Sequence, residues 1–161
     1  MAIAPGGYAE QRDEPLALVG CAYDGGAEAR GALAVAEEVA RRLGARLDVI
    51  AVVGRREEAE AVDALRRVVA GLDPAVNARP VVLRGEPVDE LARASSSVDL
   101  LITGSRGYGP LHAVLAGATS GRLIRAAACP VMIVARGVGG TIRGNPRRGV
   151  VIRPDGVVHQ G

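Results

Sequence analysis

Lysine, phenylalanine and tryptophan are all missing from this chain of 161 residues. Aromatic residues make up 2% of the chain and hydrophobic residues 48%, so the core must be packed mainly from Val, Leu, Ile and Ala. The absence of lysine excludes the Walker A phosphate loop, in which a lysine contacts the nucleotide phosphates. The 20 basic residues are therefore all arginines, and because 18 acidic residues nearly balance them we expect no general polyanion-binding surface.

Cysteines are few and apolar runs are short. Cys21 and Cys129 lie in or beside apolar segments, and their spacing does not suggest a disulfide framework, so we expect both to be small buried hydrophobic residues. No apolar segment reaches the roughly 18 residues that a transmembrane helix needs, and the first residues lack the basic and apolar regions of a signal peptide. These features predict a soluble cytoplasmic protein that does not bind membranes.

Short apolar runs, typical of buried strands, alternate with segments in which apolar residues recur at helical spacing. The five predicted strands are residues 16–22, 47–53, 80–83, 98–103 and 130–135. The four predicted helices are residues 29–43, residues 61–72, a short helix that begins at Pro87, and residues 120–128. Strict alternation of this kind predicts an α/β fold in which helices cover both faces of a parallel sheet.

A single domain is predicted over residues 15–136, preceded by a flexible N-terminal segment, residues 1–14. The last residues, 137–161, form a Gly- and Arg-rich C-terminal extension. Within it, a Pro-Asp-Gly turn between two β-branched runs indicates a small hairpin, and a mobile extension is the alternative. No aromatic residues are interleaved with its arginines, so we do not expect it to bind nucleic acid.

Parallel α/β sheets bind ligands beyond the carboxyl ends of their strands. The loops at 23–26, 54–57 and 84–87 are candidates, and the loop that runs from Gly104 to about Gly117 is longer than α/β units usually have. Its glycines let backbone N–H groups approach a phosphate, to which the next helix adds a partial positive charge. The same glycines would also suit a turn that needs positive φ angles and binds nothing, so the loop by itself leaves both interpretations open.

Other kinds of site find no support in the sequence. His112 and His159 are far apart and belong to no spaced set of ligands, so no metal site is expected on them. In the stretch from Gly117 to Gly121 the serine stands one position too late for the nucleophile elbow of hydrolases. We therefore predict no catalytic residues.

Two stretches of the chain resemble the universal stress protein family. LALVGCAYDGGAEARGALAVAEEVARRLGARLDVIAVV is similar to the family's first strand, Asp-bearing turn, first helix and second strand, and DLLITGSRGYGPLHAVLAGATSGRLIRAAACPVMIV is similar to its C-terminal signature. The resemblance covers residues 15–136. It implies a three-layer α/β sandwich with a five-stranded parallel sheet of order 3-2-1-4-5, Rossmann-like and of the adenine nucleotide alpha hydrolase-like type.

The resemblance also implies a function, that of a stress-response regulatory module that binds adenine nucleotide as a homodimer. The implied ligand is ATP with Mg²⁺, or AMP or ADP, and the implied dimer contact is the last strand, Val131 to Ala135. The nucleotide-binding positions that the resemblance implies are Ala22, Tyr23, Asp24, Val52, Thr103, Gly104, Arg106, Gly107, Gly109, Gly117, Ala118, Thr119 and Ser120.

One of these positions departs from the family pattern. ATP-binding members have Gly, two residues, Gly, nine residues, and then Gly followed by Ser or Thr; here Gly104, Gly107 and Gly117 keep the spacing and Ala118 replaces the hydroxyl residue. A hydrogen bond to a charged group is worth roughly 1.5–3 kcal/mol, so the methyl group weakens phosphate binding unless Ser120 or its neighbour substitutes. One alternative is an interaction protein that binds no nucleotide, and the replacement of the hydroxyl residue by Ala118 favours it. The other is a slow ATPase, but the sequence shows no residue that could act as its general base.

Three other positions have implied roles. The resemblance puts Val52 against adenine through its backbone and Asp24 beside the adenosine, where a carboxylate can accept hydrogen bonds from ribose hydroxyls. An aspartate there is equally suited to be the N-cap of the first helix. Arg106 either screens phosphate charge or is simply solvated.

Overall fold

The computed structural model describes residues 2–3, 15–54, 58–105 and 118–135. Its strands are β1 (Ala2–Ile3), β2 (Leu18–Ala22), β3 (Arg46–Val53), β4 (Ala78–Arg84), β5 (Leu100–Gly104) and β6 (Val131–Val134). Its helices are α1 (Ala27–Leu43), α2 (Glu58–Ala70), α3 (Pro87–Ala94) and α4 (Ala118–Ala126), and a short 3₁₀ turn, Ser95–Ser97, follows α3. The hairpin predicted in the C-terminal extension lies outside the described residues.

Five strands form a parallel sheet in the order β4-β3-β2-β5-β6. This is the order 3-2-1-4-5 of the predicted strands, so the predicted fold is confirmed. The central neighbours are β2 and β5, with Val19 opposite Leu100. Because the winding direction reverses between these two strands, their carboxyl ends flank the crevice in which such folds bind ligands.

A sixth strand, β1, was not predicted from the sequence. It runs antiparallel to β6, with Ala2 opposite Met132 and Ile3 opposite Val131. A strand of two residues carries no periodicity by which a sequence pattern could reveal it. The outer edge of β6 is therefore partly covered by residues of the N-terminal segment.

The helix ends follow the local signals in the sequence. α1 ends where Gly44 adopts a left-handed conformation, with φ of 63°, and its N–H donates to the carbonyl of Ala40. Pro87 lies in the first turn of α3. Backbone N–H groups in this turn have no acceptor within the helix, so the N–H that proline lacks costs no hydrogen bond. Since each helix follows a strand of a parallel sheet, the amino ends of α1, α3 and α4 lie at the sheet's carboxyl edge.

Two hydrophobic clusters, one on each face of the sheet, complete the three layers. On one face α1 packs through Ala32, Ala36 and Ala40, which recur every four residues and are almost fully buried. On the other face Leu91 of α3 and Leu123 of α4 pack against the sheet. Small side chains let α1 lie close to the strands, which suits a core with hardly any aromatic residues.

Other small residues fill the remaining space. A Cβ atom on Gly20 would lie 3.2–3.3 Å from side-chain atoms of Ile50, Val98 and Leu101. No disulfide joins Cys21 and Cys129, and both are buried, as the sequence predicted. In the part of the chain that the structure describes, no helix combines the length and the apolar character needed to cross a membrane.

Candidate functional site: a cleft at the carboxyl edge of the sheet

A cleft of about 330 Å³ opens at the carboxyl edge of the sheet, above the ends of β2, β3 and β5. The amino ends of α1 and α3 and one face of α4 form its walls. Its lining residues are Ala22, Tyr23, Asp24, Glu28, Ala29, Ile50, Val52, Glu86, Pro87, Val88, Leu91, Thr103, Gly104, Arg122 and Leu123. Its volume lies within the range of small-molecule binding sites, and its position is the one that the topology favours.

The cleft brings together residues that are far apart in the sequence. Six of the positions implied to bind nucleotide line it: Ala22, Tyr23, Asp24, Val52, Thr103 and Gly104. Three more, Ala118 to Ser120, form the first turn of α4, whose next turn contributes Arg122 to the lining. Arg106, Gly107, Gly109 and Gly117 lie outside the described residues.

Asp24 begins a tight turn that leads from β2 into α1. Its carboxylate oxygen Oδ1 accepts the N–H of Gly26 at 2.9 Å, and Gly25 has a positive φ of 81°. The N-cap residue of α1 is Gly26, so Asp24 is not the N-cap that one interpretation of the sequence expected. It instead stabilises the turn two residues earlier, an Asx turn that holds the carboxylate at the rim of the cleft.

The neighbouring strands fix the floor of the cleft. The N–H of Tyr23 donates to the carbonyl of Ile50 at 2.8 Å, which continues the ladder between β2 and β3 up to the cleft. At the end of β5, the N–H of Ser105 donates to the carbonyl of Val134 at 2.8 Å, and Ser105 is buried. The hydrogen bonds of the sheet therefore continue as far as the strand ends that form the floor.

The wall formed by α3 was missed in the sequence. Glu86, Pro87, Val88 and Leu91 line the cleft, although only their loop, residues 84–87, was singled out. Gly85 precedes the first residue of α3 by two positions. Its φ is 143°, and a Cβ atom added at this position would lie 2.5 Å from Oε1 of Glu90. Glycine at 85 thus avoids the backbone strain and the close contact with Glu90 that another residue would cause, and a glycine two residues before a helix-starting proline was the available signal.

Charge is unevenly distributed around the cleft. The carboxylates of Asp24, Glu28 and Glu86 belong to its lining, together with one guanidinium, that of Arg122, among the described residues. Arg122 lies 3.7 Å from a carboxylate oxygen of Asp89 in the first turn of α3, and both side chains are more than half exposed. This ion pair spans the helices α3 and α4.

Neither a cluster of metal ligands nor an ionised Cys21 thiol is available in the described part of the chain. The described residues hold no group of three or more His, Cys, Asp and Glu side chains arranged to bind a metal ion. Burial raises the pKa of the Cys21 thiol to about 12, so this cysteine, next to Ala22 in β2, is not a nucleophile at neutral pH. What this part of the chain offers is a preformed cleft with an apolar floor and a polar rim.

Comparison with known proteins identifies the family. Residues 18–135 match the model of the universal stress protein family. A universal stress protein of Thermus aquaticus, described by its place in the QAH/OAS sulfhydrylase 3' region, is 32% identical over 132 residues, which cover 70% of this chain and 94% of that protein.

Two solved structures share the fold at lower identity. A universal stress protein in complex with cAMP has a TM-score of 0.61 and 23% identity and covers 76% of this chain and 98% of its own. The universal stress protein of Archaeoglobus fulgidus in complex with dAMP has a TM-score of 0.55 and 20% identity, with coverages of 73% and 96%. Together with the sheet order and the family match, these findings show that the chain belongs to the universal stress protein family.

Proposed function

We propose that this protein is a regulatory module that binds an adenine nucleotide, ATP with Mg²⁺ or an adenosine monophosphate, in the cleft at the carboxyl edge of the sheet. One observation carries the proposal. Residues from the ends of β2, β3 and β5 that the family resemblance implies for nucleotide binding line a single cleft, although they come from positions 22 to 104 of the sequence. The relatives solved with cAMP and with dAMP support an adenine nucleotide as the ligand.

The cleft has a different character at its two ends. Ile50 and Val52 of β3 and Val88 and Leu91 of α3 supply apolar surface, which suits the faces of a purine ring. Thr103 and Gly104 end β5 on the other side, where the chain continues toward the first turn of α4. A nucleotide would fit with its base on the apolar side and its phosphates toward the amino end of α4, where N–H groups without helical partners favour anions.

Magnesium fits this arrangement only together with the nucleotide. Mg²⁺ is usually held by one or two carboxylates and by substrate phosphates rather than by protein groups alone. Asp24, Glu28 and Glu86 bring carboxylates to the cleft, but the described residues form no cluster that would bind the ion by itself. We therefore expect Mg²⁺ to affect the affinity for ATP more than that for AMP.

The test has two steps. Freshly purified protein is denatured and the supernatant is examined by chromatography for released nucleotide, and the nucleotide-free protein is then titrated calorimetrically with ATP and AMP, with and without Mg²⁺. We expect binding of at least one nucleotide. No released nucleotide together with no heat of binding would overturn the proposal and favour the interaction protein suggested by Ala118.

A pair of variants tests whether the nucleotide binds in the cleft. Ala22 at the carboxyl end of β2 is half-buried and lines the cleft, so Ala22→Leu should fill the space for the base and weaken binding at least about ten-fold. Ala17, just before the amino end of the same strand, is exposed and far from the cleft. Ala17→Leu is the matched control and should bind nucleotide as the wild type does.

The homodimer, the role in the stress response and the cytoplasmic location belong to the same proposal. Dimers would form through the last strand, Val131 to Ala135, whose edge is also the place at which β1 pairs. Catalysis is not proposed.

A further inference from the structure

We propose that Arg122 binds the phosphate of the nucleotide in place of the hydroxyl that is missing at position 118, and that Asp89 competes with the phosphate for this guanidinium. The inference rests on the proposed nucleotide site and names a residue and a counter-ion that the resemblance does not. Arg122 is the single basic residue among the described residues that line the cleft.

Arg122 lies on α4 one helical turn after position 118. α4 begins at Ala118, and Arg122 follows four residues later, so that the two positions lie one turn apart on the same side of the helix. In the family motif position 118 is the place of the phosphate-binding hydroxyl. A guanidinium one turn further along the same side has five N–H donors and can reach back toward a phosphate, which it binds with two parallel hydrogen bonds.

Arg122 forms a long, exposed ion pair with Asp89. The guanidinium nitrogen Nη2 lies 3.7 Å from Oδ1 of Asp89, which is beyond hydrogen-bond distance, and the two side chains are 62% and 56% exposed. Exposed ion pairs of this kind contribute little to stability. A phosphate can therefore take over the guanidinium at small cost, whereas a tightly hydrogen-bonded, buried pair would hold it back.

The charges of the described lining are of both signs. Asp24, Glu28 and Glu86 are its acidic residues, and Arg122 is its one basic residue. With no hydroxyl at 118, a positively charged side chain on α4 supplies both a donor and a compensating charge. Arg122 is thus expected to discriminate between ligands with and without a phosphate.

The experiment measures the affinities of the full-length protein for AMP and for adenosine by calorimetry. Arg122→Ala should weaken AMP binding about ten-fold or more and leave adenosine binding unchanged, because only the phosphate contact is lost. Asp89→Asn should tighten AMP binding about three-fold by releasing the guanidinium. Arg125→Ala removes an exposed arginine from the last turn of the same helix, outside the cleft lining, and should leave both affinities unchanged.

A variant with both substitutions, Asp89→Asn and Arg122→Ala, shows whether Asp89 competes with the phosphate for the Arg122 guanidinium or only repels the phosphate through its own charge. If Asp89 acts through Arg122, Asp89→Asn adds nothing to the AMP affinity of Arg122→Ala. An equal gain in both backgrounds, or an unchanged AMP affinity in Arg122→Ala, would overturn this inference while the wild type still binds AMP. Failure of the wild type to bind AMP, ATP and adenosine alike would instead overturn the proposed function, and this inference with it.

Discussion

Gly104, the last residue of β5, lies directly against the backbone of Glu28 in the first turn of α1. A Cβ atom at position 104 would come within 2.6 Å of both the carbonyl carbon and the carbonyl oxygen of Glu28. Backbone atoms in a helix cannot move aside as the end of a flexible side chain can. The first glycine of the signature is therefore required by the packing of α1 on β5, whether or not a phosphate binds nearby.

The first prediction concerns this contact. Gly104→Ala should lower the free energy of unfolding by about 1–3 kcal/mol, because the added methyl group forces α1 away from the end of β5. The cleft is built on the same contact, so nucleotide affinity should fall as well. Urea unfolding followed by circular dichroism gives the stability, and calorimetry gives the affinity.

Gly31 in the same helix provides the matched control. Nothing lies within 4 Å of a Cβ at position 31, and alanine favours a helix over glycine by about 0.5–1 kcal/mol. Gly31→Ala should therefore be as stable as the wild type or more so. Equal stability of the wild type and Gly104→Ala would contradict the close approach of Gly104 and Glu28.

The fold could be predicted because each element carries its own signal. β2, β5 and β6 are almost entirely apolar, and buried residues recur along α1 every three or four positions. Gly44 marks the end of α1 and Pro87 the start of α3 by the conformations they allow. The order of the sheet came from family resemblance, since alternation alone predicts a parallel sheet without specifying its order. β1 was missed because its two residues form a strand only through pairing with β6.

The site could be predicted only in part, for a related reason. Residues that end strands, such as Asp24 and Thr103, reach the carboxyl edge by topology, and the sequence identifies them. Arg122 reaches the cleft because α4 packs on the sheet at a particular angle, whereas Glu86 belongs to the loop of residues 84–87, which the sequence did identify as a candidate. A helical pattern shows which residues are apolar, but it does not show which polar residues beside the apolar stripe face a ligand.

The second prediction concerns the residue that departs from the family pattern. Ala118 is the first residue of α4, and the resemblance puts a phosphate-binding hydroxyl there. Ala118→Ser should tighten ATP and AMP binding about ten-fold, since a hydrogen bond to a charged group contributes roughly 1.5–3 kcal/mol. Adenosine, which has no phosphate, should bind with unchanged affinity.

Ala126 is exposed at the other end of the same helix, so Ala126→Ser is the control for the added hydroxyl. It should leave all three affinities as they are in the wild type. If Ala118→Ser and Ala126→Ser behave alike, the phosphates do not lie at the start of α4.

The third prediction follows from the burial of Cys21. Burial raises the pKa of its thiol to about 12, and the thiolate is the form that reacts with iodoacetamide. At pH 8 only about one thiol in ten thousand is ionised in the folded protein, so alkylation of Cys21 should be very slow until urea unfolds the chain. Peptide mapping by mass spectrometry distinguishes Cys21 from Cys129. Rapid labelling of Cys21 in the native protein would contradict this prediction.

The same shift gives stability a defined dependence on pH. The folded state holds the thiol proton more strongly than the unfolded state, so the stabilisation is complete below pH 8 and decreases as pH rises from the unfolded pKa toward about 12. Between pH 8 and pH 10.5 the stability advantage of the wild type over Cys21→Ala should therefore shrink, by about 2 kcal/mol. Urea unfolding of both proteins at the two pH values measures the change.

The fourth prediction concerns the edge of β6. The proposed dimer pairs through Val131 to Ala135, yet β1 already lies antiparallel to this edge, with Ile3 opposite Val131. A second copy and β1 cannot pair with the same residues of β6 at once, so β1 should hold back dimer formation. Ile3→Pro weakens the pairing of β1, because proline has no N–H and is disfavoured in strands, and it should lower the dimer dissociation constant several-fold.

Sedimentation equilibrium over a range of protein concentrations measures this dissociation constant, with Ile3→Val as the control because valine keeps both the N–H and the preference for strands. Ile3→Val should dimerise as the wild type does. A weaker dimer in Ile3→Pro would show the opposite relationship, in which β1 contributes to the contact between copies. Wild type and Ile3→Pro both remaining monomeric at high concentration would rule out the dimer through Val131 to Ala135, because the edge of β6 would then be free of β1 and still without a partner.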